Sequence, residues 1–182
     1  MIGNLSAKQI LLDYYREDSD LFRLLWKHSC QVAEKAVSIA KRIEGADMEF
    51  VEDAALLHDI GIFRTHAPSI FCTGSEPYIC HGVIGSELME SRGLHRYALV
   101  CERHTGAGLS CEEIIAQNLP LPHRDMIPIS IEEKIICYAD KFFSKSKITE
   151  EKTVADIRRS MAKFGPEQLR RFDEMHTLFS RQ

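Results

Sequence analysis

The sequence predicts an all-α protein, and three kinds of observation lead to that prediction. Apolar residues recur at three- and four-residue steps along most of the chain, a spacing that aligns them on one face of a helix. No sustained alternation of apolar and polar residues bounded by hairpin turns is found, so strands are not predicted. Three Ser-x-x-Glu/Gln patterns indicate helix starts as capping boxes. These are Ser6 with Gln9, Ser110 with Glu113, and Ser130 with Glu133.

The first third of the chain is predicted to form three helices. A short helix follows Ser6 and ends near Tyr15. Residues 20–43 form a long amphipathic helix, because their apolar side chains fall on one stripe, and Gly45 ends it. Asp47 is placed to cap a third helix that runs into the pair His58-Asp59.

Residues 63–80 lose the helical pattern and are rich in Thr, Pro, Gly and Ser, which predicts a long loop. An irregular loop of this length inside a compact domain is often functional. The helical pattern then resumes. Helices are predicted at residues 81–92, 96–104, 110–117, 130–142, 154–164 and 166–180.

The length of 182 residues fits a single domain, residues 1–182. Its core is predicted at about residues 20–145. A more charged helical extension covers about residues 150–182 and is interpreted as either a peripheral helical pair or a dimerisation arm, so a homodimer is possible.

The net charge of −4 argues against a protein dedicated to binding nucleic acid, which would normally show a basic excess. It is compatible with a small anionic substrate, because bound metal ions can supply positive charge locally. No apolar run approaches the length of a membrane span, and the N-terminus has no signal-peptide pattern. The expected location is the cytoplasm. No two of the six cysteines form a C-x-x-C pair, which argues against a zinc ribbon.

Four histidines and two acids occupy positions where ligand side chains could converge. His28 lies on the apolar stripe of the long helix, where a histidine satisfied within the core is the simpler interpretation. Asp59 ends an apolar helix, so it opposes the helix dipole and loses hydration, and a metal ion would offset both effects. Asp140 shows the same pattern, with a buried salt bridge to Lys134 or Lys141 as the alternative.

His81 begins one helix and His104 ends another, directly before a small-residue loop. Either residue alone would be typical of a surface histidine. The six residues in this order are a much sharper indication of a metal site than any one of them.

The motif His…His-Asp…Asp, with His58-Asp59-Ile60-Gly61 at its centre, resembles the HD superfamily of metal-dependent phosphohydrolases. The wider match covers about residues 20–145 and resembles a small stand-alone branch of that superfamily. It comprises His28-Ser29, residues 55–61, His81-Gly82, residues 102–104, residues 106–108, residues 133–135 and Ala139-Asp140.

The resemblance implies an HD-domain helical bundle in which His28, His58, Asp59 and Asp140 are metal ligands. It further implies that His81 and His104 serve a second metal, with Asp59 bridging the two. The chain departs from several branches. It lacks a GYP motif and the Glu-Asp pair of guanosine-polyphosphate hydrolases, and Ile62-Phe63 stands where many relatives place Lys or an acid. The substrate is therefore left open.

The predicted cofactor is one or two divalent transition metals, because mixed His and carboxylate ligands suit Fe, Mn, Zn, Co or Ni. A bound divalent metal lowers the pKa of its water from about 16 to about 7, which makes a nucleophile available at neutral pH. The predicted catalytic residues are His58, Asp59 and Arg64, with Arg64 as the preferred phosphate clamp. Arg103 and Lys141 are weaker candidates, because neighbours of ligands on a helix point elsewhere.

The sequence thus predicts a hydrolase that cleaves a phosphate ester or anhydride of a small, nucleotide-like substrate. No nucleic-acid or membrane partner is expected. Phe63, Phe71 and Tyr78 are either pocket walls or ordinary packing residues. Two other hypotheses stay open. One is a di-iron oxygenase on the same scaffold, and the other is a non-catalytic metal-binding module.

Overall fold

A computed structural model describes residues 5–146 and 150–180. Nine α-helices within these residues form the body of the protein, which confirms the all-α prediction. They are α1 (Ala7–Leu12), α2 (Asp20–Ala40), α3 (Met48–Leu57), α4 (His81–Glu90), α5 (His95–Arg103), α6 (Cys111–Ala116), α7 (Ile131–Asp140), α8 (Val154–Ala162) and α9 (Pro166–Ser180).

Polar side chains cap most helix starts, as the sequence predicts. The Ser6 and Ser110 capping boxes both form. At Ser130 the hydroxyl accepts from Glu133 N, but the Glu133 carboxylate accepts from Ile129 N instead of closing the box. Several helices are shorter than predicted, because apolar periodicity continues into turns that no longer form helical hydrogen bonds.

The segment predicted as an irregular loop, residues 63–80, is more ordered than its composition indicates. Three 3₁₀ turns, Ile60–Arg64, Pro68–Ile70 and Tyr78–Cys80, alternate with strands β1 (Thr65–Ala67), β2 (Cys72–Thr73) and β3 (Glu76–Pro77). The strand order is β2-β1-β3, with β1 antiparallel to β2 and parallel to β3. Strands this short carry no readable alternation, so periodicity could not predict them.

Two large apolar cores, and a smaller cluster around Ile114, hold the described helices together. The larger one lies among α2, α3, α7 and α9, and contains Val32, Ile135 and Phe172. The second lies beneath α1 and the start of α2, and includes Leu25 and Leu57. The site described below takes its residues from α2, α4 and α7 and from the positions directly after α3 and α5.

The C-terminal hairpin of α8 and α9 is not a peripheral addition. Phe172 and Phe179 of α9 are buried in the larger core, and α9 packs on α7.

None of the helices in the described part of the chain combines the length and the apolar composition of a membrane span.

Candidate metal centre

Local packing explains how His58 and Asp59 come to project inward. They follow α3, where the chain tightens into the 3₁₀ turn Ile60–Arg64. Tyr15 holds this turn, because its hydroxyl donates to Ile60 O at 2.6 Å and accepts from Phe63 N at 3.4 Å.

Gly61 lets the turn lie directly against α4. A Cβ at this position would stand 2.2 Å from His81 O and 2.6 Å from Gly85 N, which is far inside contact distance. The absence of a side chain at Gly61 therefore permits the close approach that brings Asp59 and His81 together.

The other candidate ligands come from different helices. His28 lies on the buried face of α2, His81 is the first residue of α4, His104 directly follows α5, and Asp140 is the last residue of α7. His28, His58, Asp59, His81 and His104 are buried, and Asp140 is largely buried. The structure brings together all six residues that the sequence singled out as ligands.

The two oxygens of Asp59 divide the cluster into two lobes. Oδ1 lies 3.4 Å from His81 Nε2 and 3.5 Å from His104 Nε2. Oδ2 lies 3.0 Å from His58 Nε2 and 3.3 Å from His28 Nε2. Asp140 Oδ1 completes the second lobe at 3.1 Å from His28 Nε2. Asp59 thus stands between a three-residue group and a four-residue group that share it.

Backbone carbonyls fix the orientation of three of the imidazoles. The Nδ1 atoms lie near Ala55 O for His58 (2.6 Å), Tyr78 O for His81 (2.7 Å) and Cys101 O for His104 (2.8 Å). Since a carbonyl only accepts, Nδ1 carries the hydrogen, and in the neutral ring Nε2 offers a lone pair toward Asp59. In metal sites, backbone carbonyls orient histidine ligands in this way.

Burial and charge shift the ionisation of the cluster in opposite directions. Burial lowers the pKa of His81 to about 3 and also lowers the pKa of His104, so both rings are neutral near pH 7. Burial acts the same way on His58, but Asp59 and Asp140 outweigh it and raise the pKa of His58 to about 9. Burial favours protonated Asp59, yet the charges of His58 and Lys145 hold its pKa well below the ordinary value.

Two largely buried lysines, Lys141 and Lys145, join the cluster. Lys145 Nζ lies 2.5 Å from Asp59 Oδ2, and Lys141 Nζ lies 2.8 Å from Asp140 Oδ2 and donates to His104 O at 3.0 Å. Lys145 is not among the residues that the sequence predicts for the site, and Lys141 is only a weaker candidate there. The spacing Asp140-Lys141-x-x-x-Lys145, with two phenylalanines between the lysines, could have indicated that both remain near Asp140.

A cavity of about 600 Å³ opens above the cluster. His81, His104 and Asp140 lie at its floor, and Lys141, Lys145 and Lys152 line one side. The remaining wall is largely apolar and comes from the segment before α4, from the loops around α6 and from the C-terminal hairpin. This wall includes Ile79, Leu109, Leu119, Ile157, Met161 and Phe164.

The α9 helix fastens the loop that follows His104. Gln168 accepts from Ala107 N at 2.7 Å and donates to Gly108 O at 2.6 Å. Arg171 donates to the Ala107 and Gly108 carbonyls and forms an ion pair with Glu113. The C-terminal hairpin is therefore part of the cavity and supports the backbone next to His104.

Arg64 is not brought to the cluster. Its side chain is 47% exposed, lies 4.0 Å from Glu87 and does not line the cavity. Arg103 is also directed elsewhere, into an ion pair with Glu133.

The three aromatic residues considered as pocket walls differ in their positions. Tyr78 lines the cavity, and Phe71 is half exposed. Phe63 packs against Tyr14 and Tyr15.

The donor set fits a divalent transition metal. Both Asp59 oxygens and His58 Nε2 are buried without a hydrogen bond of adequate geometry, although charged groups surround them. Buried polar atoms normally have such partners, and clusters of convergent, underused donors are typical of metal sites. The cluster is thus able to hold a divalent metal, with His and carboxylate ligands that suit Fe, Mn, Zn, Co or Ni.

A helical bundle whose buried floor carries a His-Asp pair, three further histidines and a distant aspartate defines a class of metal-binding helical domains. The HD-domain family model matches residues 25–144, so the chain belongs to the HD family.

The chain is also similar to several curated proteins and to one solved structure. An uncharacterized protein of Methanocaldococcus jannaschii is 39% identical over 129 residues, covering 68% of this chain and 69% of the relative. A tRNA (cytidine(56)-2'-O)-methyltransferase of Picrophilus torridus is 35% identical and that of Thermoplasma volcanium is 36% identical. Their matches cover 81% and 72% of this chain, but only 39% and 35% of those longer proteins. The HD domain of the L. monocytogenes phosphodiesterase PgpH has the same fold, with a TM-score of 0.53, 16% identity and 93% coverage of both chains.

Proposed function

We propose that this protein is a metal-dependent phosphohydrolase that cleaves a phosphate ester or anhydride of a nucleotide-like substrate. The observation that carries the proposal is the position of the Asp59-centred cluster at the floor of a cavity lined by three lysines. In this proposal His28, His58, Asp59 and Asp140 hold one metal. His81 and His104 hold a second, with Asp59 shared.

The metals and the residues that hold them have different roles in this proposal. Bound divalent metals supply Lewis acidity and an activated water at neutral pH. The fixed Nδ1 contacts of His58, His81 and His104 keep three donor nitrogens in place before any ligand arrives. Burial of the cluster keeps bulk water away and strengthens every charge interaction within it.

The lysines are proposed to take the role that the sequence analysis gave to Arg64. Lys141, Lys145 and Lys152 line the cavity on the Asp140 side, so a phosphate above the cluster would face ammonium groups as well as metal. Ammonium groups bind phosphate as point charges. Without such charges a phosphate dianion would be repelled by Asp59 and Asp140.

The apolar wall supports an organic group on the substrate. Ligand cavities usually measure roughly 300–1,000 Å³ and combine apolar walls with a few convergent polar groups. Here about 600 Å³ is available, with the charged groups near His81 and Asp140 and with Met161 and Phe164 contributed by the hairpin. This favours a phosphate carried on a sugar and base over a bare inorganic polyphosphate.

A phosphate-release assay tests the proposal. Protein purified without chelator and then stripped would be reconstituted separately with Mn, Fe and Zn, and assayed with nucleoside monophosphates, dinucleotides and cyclic dinucleotides. We expect release with more than one metal, since hydrolysis needs no change of oxidation state. The matched control is Asp59→Ala, which removes the shared ligand.

Two results would contradict the proposal that the protein is a hydrolase. Turnover that depends strictly on iron and oxygen, without phosphate release, would favour the oxygenase alternative. Absence of turnover on the whole panel, with metal bound at stoichiometric level, would favour a non-catalytic binding module.

A further inference from the structure

Lys145 makes an unusual contact for a residue in a cavity wall. Its ammonium lies 2.5 Å from Asp59 Oδ2, and its side chain is only 14% exposed. His58 Nε2 and His28 Nε2 converge on the same oxygen at 3.0 and 3.3 Å. Lys145 therefore contacts the ligand atom that a metal in the second lobe would use.

Each of the two carboxylates is paired with a lysine ammonium. Within the described residues, the ammonium groups in ion-pair contact with Asp59 and Asp140 are those of Lys145 and Lys141. A buried carboxylate is costly unless a positive charge compensates it. The chain thus carries an internal counterion for each of the two aspartates.

The two lysines are held differently. Lys141 follows α7 directly and is tied by a second bond to His104 O, so its position is fixed by the backbone of another element. Lys145 lies beyond the helix in a turn, and its side chain lines the cavity. A long side chain in a turn can reach either Asp59 or the cavity above it.

A divalent cation on Asp59 Oδ2 would stand close to the Lys145 ammonium, and like charges at such separation repel strongly in a poorly hydrated site. Lys145 is the group expected to move, because it carries a flexible four-carbon side chain, whereas the imidazoles of His58, His81 and His104 are held at Nδ1 by backbone carbonyls. Movement into the cavity would place its charge where Lys152 already contributes one.

We propose that Lys145 is an exchangeable counterion. It neutralises Asp59 in the metal-free protein, is displaced from Asp59 Oδ2 by a divalent metal, and then binds the phosphate in the cavity. The phosphate half of this inference rests on the proposed function, whereas the exchange with metal does not. Metal and phosphate binding are then coupled, since each metal adds two positive charges that a phosphate dianion compensates.

Calorimetric titration separates these effects. Stripped wild-type protein, Lys145→Met and the matched control Lys41→Met, an exposed lysine on another surface, would be titrated with Mn²⁺. The Mn²⁺-loaded proteins would then be titrated with inorganic phosphate. We expect Lys145→Met to bind Mn²⁺ at least tenfold more tightly and phosphate at least tenfold more weakly, with Lys41→Met unchanged in both.

Each outcome is decisive. Unchanged or weaker Mn²⁺ binding by Lys145→Met overturns the exchange. Tighter Mn²⁺ binding together with unchanged phosphate binding overturns the proposal that the displaced Lys145 binds phosphate. If no ester is hydrolysed but both affinities shift as expected, the proposed function fails and the counterion exchange stands.

A measurement on the wild-type protein covers the case in which Lys145→Met fails to fold without metal. Acetylation of individual lysines, followed by mass spectrometry, would be timed with and without Zn²⁺. We expect Zn²⁺ to speed acetylation of Lys145 at least threefold, because the amine leaves a buried ion pair, and to leave Lys41 unchanged. An equal or slower rate at Lys145 overturns the exchange.

Discussion

His81 Nε2 and His104 Nε2 face each other at 3.0 Å, and both lie within 3.5 Å of Asp59 Oδ1. Their Nδ1 atoms are engaged by the Tyr78 and Cys101 carbonyls, so both Nε2 atoms present lone pairs to the same region. Two lone pairs and a carboxylate oxygen repel one another unless a cation lies among them. This lobe is therefore expected to hold a metal of its own, in addition to a metal held by His28, His58, Asp59 and Asp140.

We expect His104→Ala to lose one of two metals and Asp59→Ala to lose both, because Asp59 is shared by the lobes and His104 is not. Elemental analysis of protein purified without chelator would measure this. His95→Ala, which removes an exposed histidine, is the control. Equal metal content in His104→Ala and the wild type would contradict the two-metal arrangement.

Gly61→Ala is expected to destabilise the fold severely. The new Cβ would meet backbone atoms of His81 and Gly85, which cannot move aside as a flexible side chain would. Overpacking costs about 1–3 kcal/mol or more, and the upper end applies here. Chemical denaturation would measure the loss. Gly93→Ala is the matched control, because Gly93 has φ +72° but no atom within 4 Å of an added Cβ. Its cost should be limited to backbone strain of about 1–2 kcal/mol, and a larger loss at Gly93 than at Gly61 would refute the close-packing argument.

The Glu113–Arg171 ion pair predicts a pH-dependent contribution to stability. Burial opposes ionisation of Glu113, but the Ser110 amide and Arg171 outweigh it and hold the pKa of Glu113 below its ordinary 4.5. A lowered pKa stabilises the fold fully above about pH 4.5, and this contribution disappears as the pH falls through the folded-state value.

We therefore expect Glu113→Gln to be less stable than the wild type near pH 7, by roughly 1.5–3 kcal/mol for a hydrogen bond to a charged group. The difference should shrink as the pH falls below about 4.5. Urea titrations of both proteins from pH 7 to 3 would measure it. A difference that is constant over this range would mean that the ionised carboxylate is not what anchors α9.

Phe164 is expected to affect binding of the organic group but not of the phosphate. It lines the cavity at the turn between α8 and α9, and it is 59% exposed. Base stacking on an aromatic ring contributes about 1–3 kcal/mol per base. With nucleotides as substrates, Phe164→Ala should raise KM by roughly fivefold or more, near the lower end of that range because the ring is exposed. Inhibition by inorganic phosphate should stay unchanged. Phe164→Tyr, which keeps the ring, is the control, and a parallel loss of phosphate binding would indicate a general disturbance of the cavity.

The sequence by itself determined the helices and the identity of the six clustered residues. Apolar periodicity and capping patterns act over a few residues, so α2, α3 and α7 could be predicted before their packing was known. Asp59 and Asp140 stood out because acids at the inner ends of apolar helices are costly without a positive partner.

Only the tertiary structure decided what supplies that positive charge and what encloses the site. Lys145 reaches Asp59 from a point 86 residues further along the chain (145 − 59), and no local pattern encodes such a contact. The same is true of Gln168 and Arg171, which hold the loop after His104 from the C-terminal helix. Arg64 shows the converse. It lies close to Asp59 in sequence but does not reach the cavity, because the 3₁₀ turn directs its side chain toward Glu87 and solvent. Side-chain direction over such distances depends on how the helices pack, which is a property of the folded chain and not of any short segment.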